Sequence, residues 1–510
     1  MGKQLAWKAG GSAGSGPLHT SAAEDSSLNA EVANAPPQTG RAQSDSERGA
    51  APPLSRADVV GYGAVAGPFE MLKAPGLAIL PALYTKEFGL SLTAVSLALL
   101  LLRLSDGATD VIVGVLSDRT RSRFGPRKPW LLASIPLAVL SAWGLYVPGA
   151  SASNWQFSIC YFFFYLAWTM FEIPYTAWSA ELARNYQDRS RLALSRGVGS
   201  NVGLILLSLV PLLPFLPSTG MTFDTLFVIF WIVAVAYPLG VLYAFFRIPK
   251  GEFVPAMQGI GLRESLRAIK NNPPLQIFLV ISLCSDLALG IGGAMFFLFL
   301  DTYLGIGASF SAIFLTAIVV STLALKPWQL LLARTSKRTL LIASTAGLVV
   351  WAAFIFALTP GELALPLYIF YISLYYVLSV GRDVALYAVV GDIVDYGELR
   401  TGANRAGQFT SAWMVLRKLA YAIGPAVGFF VAGIAGFDPA SAENDATGIL
   451  GLKVANGYLP ALLFALSTVL AIRFPLTLER QQIIGRRLAQ RSARRNRQAT
   501  ADRDLNGGDA

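Results

Sequence analysis

The sequence predicts an all-helical membrane protein with twelve transmembrane helices in two halves of six. Only 14% of its 510 residues are charged, 54% are hydrophobic, and the mean hydropathy is +0.52. A soluble domain carries about 25% charged residues. Apolar stretches recur along the whole chain, and a stretch of about 20 residues is long enough to cross roughly 30 Å of hydrocarbon. A soluble enzyme with a single apolar tail is therefore excluded.

The predicted spans form two groups on either side of a longer polar segment, residues 248–274. They cover residues 58–84, 93–116, 129–148, 156–181, 197–216 and 224–246 in a first half, 58–247, and residues 275–302, 309–332, 338–358, 364–390, 406–436 and 452–474 in a second half, 275–474. Within the polar segment, Gly261–Lys270 has the pattern of a short amphipathic helix on the membrane surface. Two similar six-helix halves joined by a linker are the arrangement of the major facilitator fold.

Basic residues concentrate in every second loop of this topology. One set of loops holds Arg119, Arg121, Arg123, Arg127, Lys128, Arg184, Arg189, Arg191, Lys250, Arg263, Arg267, Lys270, Arg334, Lys337 and Arg338. The other set holds almost none, with Lys86 as the exception. The positive-inside rule places the basic loops and both chain termini in the cytoplasm, so we expect a multi-pass protein of a bacterial inner membrane.

Two tails flank the predicted membrane domain. Residues 1–57 are rich in Gly, Ala, Ser and Pro and lack apolar periodicity, which is typical of a disordered tail. Residues 475–510 are strongly basic and belong to the cytoplasmic side. We favour solvated charge that fixes topology as their role, with binding to anionic lipid or nucleic acid as the alternative. The net charge of +10 then needs no nucleic-acid partner.

The chain has few of the side chains on which enzymes and metal sites depend. Its only histidine, His19, lies in the N-terminal tail. Cys160 and Cys284 lie in apolar stretches, where cysteine packs as a small hydrophobic residue. No phosphate-binding loop or serine-nucleophile motif is present. We therefore expect neither an enzyme nor any cofactor besides a coupling ion.

The second predicted span carries two carboxylates in the run RLSDGATD, residues 103–110. A charge at the centre of a membrane helix costs about 2.5–3.5 kcal/mol, so it requires a partner or a function. Asp106 and Asp110 share one helix face, where they repel each other unless a cation or a proton lies between them. Thr109 offers a further oxygen. The pattern predicts a Na+ or H+ site; a structural ion pair with Arg103, which neutralises one aspartate, is the alternative.

Two glutamates lie inside other predicted spans, Glu70 in the first and Glu172 in the fourth. Carboxylates near the middle of a membrane accept hydrogen bonds from a polyhydroxylated ligand such as a sugar. Hydrogen bonds between helices are the alternative. Thr169 lies one turn before Glu172 and projects to the same side. Pro174 removes a backbone donor, which leaves carbonyl groups to line a cavity.

Basic residues also lie inside the predicted spans. Lys418 is about twelve residues into the eleventh span, roughly 18 Å from its cytoplasmic end. We expect it to face the carboxylates of the second span across the two halves, whereas its neighbour Arg417 points elsewhere. Arg196 opens the fifth span, either as an interfacial anchor or as a functional residue. Asp286 and Lys326 either line the same cavity from the second half or form a local pair.

Four stretches of the chain together resemble one transporter family. They are RLSDGATD at 103–110, GVLSDRTRSRFGPRKPW at Gly114–Trp130, EIPYTAWSAEL at 172–182 with QDRSRLALSR at 187–196, and GDIVDYGELRTGANRAGQFTSAWMVLRKLA at 391–420. In this order and combination they are similar to the glycoside–pentoside–hexuronide:cation symporters, of which the melibiose carrier is a member. The resemblance covers nearly the whole predicted membrane domain.

The resemblance implies a role for each matching residue. Asp106 and Asp110 fall where the family binds its coupling cation, with Thr169 as a hydroxyl ligand; Glu70, Glu172 and Arg196 fall at sugar-binding positions; Lys418 matches a lysine tied to the cation site.

The sequence also departs from the melibiose carrier at the sugar positions. The two glutamates are aspartates in that carrier, and its nearby lysine and tryptophan are replaced here by Phe69 and Thr176, so galactoside specificity does not follow. Thr109 replaces an asparagine sodium ligand, which leaves Na+ and H+ equally open.

The function implied is cation-coupled symport. We expect a monomeric carrier in the lipid bilayer that imports a sugar, glycoside or hexuronide together with Na+ or H+ by alternating access, with Arg103 and Lys418 coupling the two sites. Symport of a lysolipid or another amphiphile is the alternative, because lysolipid symporters share the fold and the aspartates of the second span. Three charged groups at the sugar positions argue against a mostly apolar cavity.

Overall fold

The computed structural model describes residues 54–149, 152–183, 186–251, 267, 269–402, 405–441 and 443–491. In these residues the chain is helical and contains no β-strand. The N-terminal tail up to residue 53, the C-terminal tail from residue 492 and most of the predicted surface helix Gly261–Lys270 lie outside the described residues.

The helices fall into two groups along the chain. The first group comprises α1 (Arg56–Ala78), α2 (Leu80–Phe88), α3 (Leu92–Arg119), α4 (Lys128–Tyr146), α5 (Asn154–Leu182), α6 (Tyr186–Leu209) and α7 (Phe223–Arg247). The second group comprises α8 (Pro273–Leu298), α9 (Phe310–Arg334), α10 (Lys337–Ala353), α11 (Ala364–Thr401), α12 (Ala406–Ile434), α13 (Ala446–Lys453) and α14 (Leu459–Ile472). Residues 478–491 are helical as well.

Local sequence signals account for the beginning and the end of the first span. The Ser55 side chain accepts a hydrogen bond from the backbone N–H of Asp58 at 3.1 Å, and the Asp58 carboxylate accepts one from the Ser55 N–H, so α1 begins with a capping box. The break between α1 and α2 at Ile79 lies just before Pro81, which has no N–H to donate to the carbonyl of Leu77. Gly89 has φ +64° and turns the chain from α2 into α3, a conformation that glycine adopts without strain.

Ten helices in the described part of the chain are long and apolar enough to cross a membrane. They do not include α1 and α3, two further long helices that carry Glu70 and the charged run at 103–110. A multi-pass, all-helical membrane protein is therefore confirmed. The count of twelve spans stays a prediction.

The observed helices depart most from the predicted spans at two ends. α6 begins at Tyr186, eleven residues before the predicted start, and α11 continues to Thr401, eleven residues past the predicted end. Both additions are polar, and hydropathy detects the part of a helix that lies in hydrocarbon rather than the end of the helix. The expectation that Arg196 opens its helix is wrong, because Arg196 is the eleventh residue of α6.

Glycines bring α1 and α6 unusually close together. Gly63 and Gly67 of α1 meet Gly199 and Gly203 of α6, and a Cβ atom built on Gly203 would overlap the backbone of Gly67. Small residues allow membrane helices to approach until their backbones touch, which increases the packing contact between them. This contact fixes the position of α6, and with it Arg196, relative to Glu70 on α1.

We expect Gly203→Ala to destabilise the protein. The added methyl group has to displace the backbone of α1, and overpacking of this kind costs about 1–3 kcal/mol. Gly197→Ala on the same helix is the matched control, because nothing lies within 4 Å of the added Cβ atom there. Thermal unfolding of both variants in the same detergent measures the difference. Equal unfolding temperatures for the two variants would show that the close contact is not needed.

The two groups of helices meet along α3 and α12. Gly433, near the end of α12, packs against Leu92 at the start of α3. At the same end of the bundle, Lys86 Nζ lies 2.6 Å from Asp301 Oδ2 and joins the first group to the second. This end is opposite to the one that carries the basic loops. The contact sets α3 against α12 and brings their charged residues together in the middle of the bundle.

Candidate functional site

Two carboxylates and one hydroxyl converge between α3 and α5. Asp106 and Asp110 lie one turn apart on the same face of α3. Thr169 of α5 places its Oγ1 atom 2.9 Å from Asp106 Oδ1 and 3.1 Å from Asp110 Oδ1. A hydroxyl has one proton and serves one of these oxygens at a time. The cluster therefore consists of hard oxygen ligands, which suit a hard cation or, at a carboxylate, a proton.

Two basic side chains border this oxygen cluster. Lys418 of α12 forms an ion pair with Asp110, and its Nζ atom lies 3.6 Å from Asp106 Oδ2. Arg103 Nη1 lies 4.0 Å from Asp106 Oδ2, and its guanidinium group lies 4.0 Å from the ring centre of Tyr165. Two carboxylates and two basic groups make the cluster neutral overall. The second group thus supplies, through Lys418, part of the positive charge that the α3 carboxylates require.

Thr109, the other predicted oxygen ligand, makes a different contact. Its hydroxyl donates to the backbone carbonyl of Asp106, on its own helix, at 3.0 Å. Threonine hydroxyls inside helices often bond in this way to the preceding turn. Among the described contacts it is Thr169, rather than Thr109, that joins the two aspartates.

A second charged cluster lies on α5 and α6. Glu172, one turn after Thr169, forms an ion pair with Arg196. Arg196 Nη1 also donates to Thr176 Oγ1 at 2.8 Å, and its guanidinium group faces the ring of Tyr175. Glu172 Oε2 is buried and has no hydrogen-bond partner among the described residues. An acceptor left in this state has the chemistry to bind a ligand hydroxyl.

Glu70 of α1 is paired with Lys73, a residue that was not predicted. Lys73 Nζ lies 2.6 Å from Glu70 Oε1 and 5.3 Å from the ring centre of Trp168. Ser200 Oγ of α6 lies 3.5 Å from the same glutamate oxygen. The signal for Lys73 was present in the sequence, because a lysine inside a membrane helix needs a partner as much as an acid does. Glu70 on α1 thus contacts α6, which carries Arg196 and which the glycine contact joins to α1.

The second group contains a cluster of four charged side chains on α8, α11 and α12. Arg382 forms an ion pair with Asp286, and both side chains are fully buried. Arg417 Nη2 lies 3.0 Å from Asp383 Oδ2, and Arg417 Nε lies 3.6 Å from Asp286 Oδ1. Asp286 pairs with these two arginines rather than with Lys326, which is exposed on α9. Arg382 and Asp383 were not predicted, although adjacent charges in an apolar stretch were the signal for them.

Comparison with known families decides the class of the protein. The model of the MFS/sugar transport protein family matches residues 61–478, most of the chain. The chain belongs to this family. The resemblance to the glycoside–pentoside–hexuronide:cation symporters is confirmed.

Several relatives match over most of their length. The chain is 26% identical over 440 residues to the glucuronide carrier protein homolog of Escherichia coli (strain K12), covering 83% of this chain and 93% of that protein. It is 25% identical over 454 residues to the putative glycoside/cation symporter YagG of the same organism, covering 86% and 96%. It is 25% identical over 403 residues to the isoprimeverose transporter of Lactiplantibacillus pentosus, covering 76% and 81%. These relatives are transporters and not enzymes.

Solved structures show the same fold. The nucleoside transporter NupG superposes with a TM-score of 0.57 at 13% identity, covering 82% of this chain and 98% of that one. A bacterial homolog of the human lysosomal transporter Spinster superposes with a TM-score of 0.56 at 14% identity, covering 85% and 98%. The predicted major facilitator fold is confirmed.

Proposed function

We propose that this chain is a symporter that carries a sugar-type substrate into the cell together with a cation. The observation that carries the proposal is the placement of two side chains one turn apart on α5. Thr169 contacts both aspartates of α3, and Glu172 holds Arg196. A cation site and a hydroxyl-binding site therefore share one rigid helix. The printed names of the relatives, a glucuronide carrier, a glycoside/cation symporter and an isoprimeverose transporter, support the same substrate class.

In this proposal the coupling ion binds at Asp106, Asp110 and Thr169 and displaces Lys418. A cation between the two aspartates repels the lysine ammonium, so ion binding weakens the ion pair between Lys418 and Asp110. Because Lys418 belongs to α12 and the aspartates to α3, this exchange changes a contact between the two groups. Na+ and H+ both fit, since carboxylates bind a sodium ion and one of them is able to take up a proton.

The substrate binds at Glu70, Glu172 and Arg196 in the same proposal. Glu172 Oε2 accepts a hydrogen bond from a sugar hydroxyl, and Arg196 donates to a sugar oxygen. Thermodynamic linkage then requires that cation and sugar raise each other's affinity by the same factor. The membrane potential drives the cation inward with about 2.3 kcal/mol per charge per 100 mV.

The proposed topology follows from the basic loops. We place the ends of α3, α7 and α9, and both chain termini, in the cytoplasm of a bacterial cell. Two six-helix halves, 58–247 and 275–474, then rock about the site and expose it to one side at a time. A monomer is sufficient for this mechanism, because every proposed site residue comes from one chain.

Uptake into proteoliposomes tests the proposal. A panel of radiolabelled pentoses, disaccharides and hexuronates is offered, with Na+ and H+ gradients imposed separately. We expect one gradient to drive accumulation of at least one sugar above its external concentration. Vesicles without protein, and vesicles whose gradient has been dissipated, are the controls. Absence of any sugar accumulation, together with binding of a lysolipid, would favour the lipid alternative instead.

A further inference from the structure

The charged cluster of the second group has the same layout as the proposed sugar site of the first. Three pairs of residues correspond when each is counted from the start of its helix. Glu70 is the fifteenth residue of α1, and Asp286 is the fourteenth of α8. Glu172 is the nineteenth of α5 and Asp383 the twentieth of α11, while Arg196 is the eleventh of α6 and Arg417 the twelfth of α12. Both groups thus hold two acids and an arginine in the same order along the chain, and each cluster has one further basic residue, Lys73 in the first and Arg382 in the second. Each pair matches in its position along the helix to within one residue.

A second set of ion pairs supports this register independently. Arg127, immediately before α4, lies 2.7 Å from Glu181, and Lys337, the first residue of α10, pairs with Asp392. Glu181 is the twenty-eighth residue of α5, and Asp392 is the twenty-ninth of α11. The two positions along the helices differ by one residue, as do those of Glu172 and Asp383. The two halves of the major facilitator fold are parallel repeats about an axis along the membrane normal, so equivalent residues lie at the same depth on opposite walls.

The two ion pairs of the second-group cluster differ in exposure. Arg382 and Asp286 are fully buried, whereas 39% of the Asp383 side chain and 16% of the Arg417 side chain are exposed. A carboxylate in the middle of a membrane helix faces water rather than lipid, because exposure to hydrocarbon is costly. Two arginines also hold Asp383 in position. Its Oδ1 atom lies 3.1 Å from Arg382 Nη2, and its Oδ2 atom lies 3.0 Å from Arg417 Nη2.

The next residue along α12 locates this cluster at the boundary between the groups. Lys418 follows Arg417 directly and reaches Asp110 on α3. Arg417 therefore lies on a helix that borders the first group, and it pairs there with Asp383 of α11, next to the buried pair of Asp286 and Arg382.

We infer that Asp383 and Arg417 form a second substrate-binding wall, opposite the wall formed by Glu172 and Arg196. The inference rests on the proposed function. Each wall presents an acid that accepts and an arginine that donates, which is the chemistry that recognises a ring carrying several hydroxyls. A substrate that contacts both walls carries such a ring at each end, so the substrate class is a two-ring sugar.

The charge balance of the walls favours an uncharged sugar. In the first group Glu70 pairs with Lys73, and Glu172 pairs with Arg196. In the second group two aspartates are balanced by two arginines. An uncharged two-ring sugar leaves both balances intact, whereas a carboxylate on the substrate adds a net negative charge to the cavity.

Asp383→Asn tests the second wall. Binding of xylose and xylobiose, glucose and cellobiose, and galactose and lactose is measured with the full-length protein in lipid vesicles. We expect the affinity for the preferred two-ring sugar to fall about ten- to one-hundredfold, as for a lost hydrogen bond to a charged group, and that for its one-ring counterpart to change little. Asp395→Asn is the matched control, because it makes the same change at an exposed position of the same helix.

Arg417→Lys is the second variant, for the case that Asp383→Asn does not fold. It keeps the positive charge but removes the planar fork of donors, and we expect the same selective loss for two-ring sugars. An equal loss for one-ring and two-ring sugars would show a structural role and overturn the inference. Wild-type protein that binds one-ring sugars as tightly as two-ring sugars would overturn it while the proposed function stands. Wild-type protein that accumulates no sugar would remove both.

Discussion

Replacement of Asp110 by asparagine should abolish uphill accumulation of the sugar. Asparagine has almost the same size as aspartate but no charge, so an entering cation meets one carboxylate instead of two. Loss of a contact with a charged group costs about 1.5–3 kcal/mol, which corresponds to roughly a ten- to hundredfold loss of cation affinity. Sugar exchange at equal concentrations on the two sides should persist, because it needs no net cation transport. Accumulation and exchange are measured in the same proteoliposomes.

Thr109→Ala is the matched control for this experiment. The Thr109 hydroxyl donates to the backbone of its own helix, so its removal should leave accumulation near the wild-type level. Wild-type accumulation by Asp110→Asn would remove Asp110 from the cation site. Loss of accumulation in Thr109→Ala alone would place the cation at Thr109, as the sequence pattern allows.

Arg196→Gln should remove sugar binding while cation binding remains. The change breaks the ion pair with Glu172 and the hydrogen bond to Thr176, and it leaves a carboxylate without its partner. Loss of a hydrogen bond from a charged donor to the sugar typically costs about 1.5–3 kcal/mol, so we expect roughly a ten- to hundredfold loss of sugar affinity. Sugar affinity is measured by equilibrium binding, and cation affinity by the protection that the ion gives against thermal unfolding.

Arg196→Lys separates charge from geometry at the same position. Lysine retains the charge but cannot donate to Glu172 and Thr176 in the planar arrangement of a guanidinium group, so we expect an intermediate sugar affinity. Sugar affinity that is unchanged in Arg196→Gln would contradict the proposed substrate site. A parallel loss of cation affinity and thermal stability would show that Arg196 holds α5 and α6 together instead.

Helix periodicity and membrane depth were sufficient to predict the proximity of several site residues. The spacing of Asp106 and Asp110 places them on one face, and the spacing of Thr169 and Glu172 does the same on another helix. The depth of Lys418 along its span leads it to the aspartates of the other group, where the structure places it. These inferences need only the rise and the turn of an α-helix, which the sequence determines once a span has been recognised.

The remaining partners depend on helix rotation, which the sequence does not determine. Asp286 had several basic residues at suitable depth, and only the packing of α8 against α11 and α12 selects Arg382 and Arg417. Thr109 lies one residue from Asp110, yet its hydroxyl bonds to its own helix. The start of α6 was missed for another reason, because polar turns outside hydrocarbon carry no hydropathy signal.

The glycine contact between α1 and α6 has a mechanical consequence for the proposed transport cycle. Helices whose backbones touch cannot slide or tilt against each other without a steric clash. In the proposed cycle Glu70 and Arg196 therefore move together, and the geometry of the proposed sugar site stays constant. The same holds for α8 and α12, where Gly424 lies against the backbone of Gly290. Movement in the proposed cycle is then left to the contact between α3 and α12, which Lys418 crosses and which binding of a single ion changes.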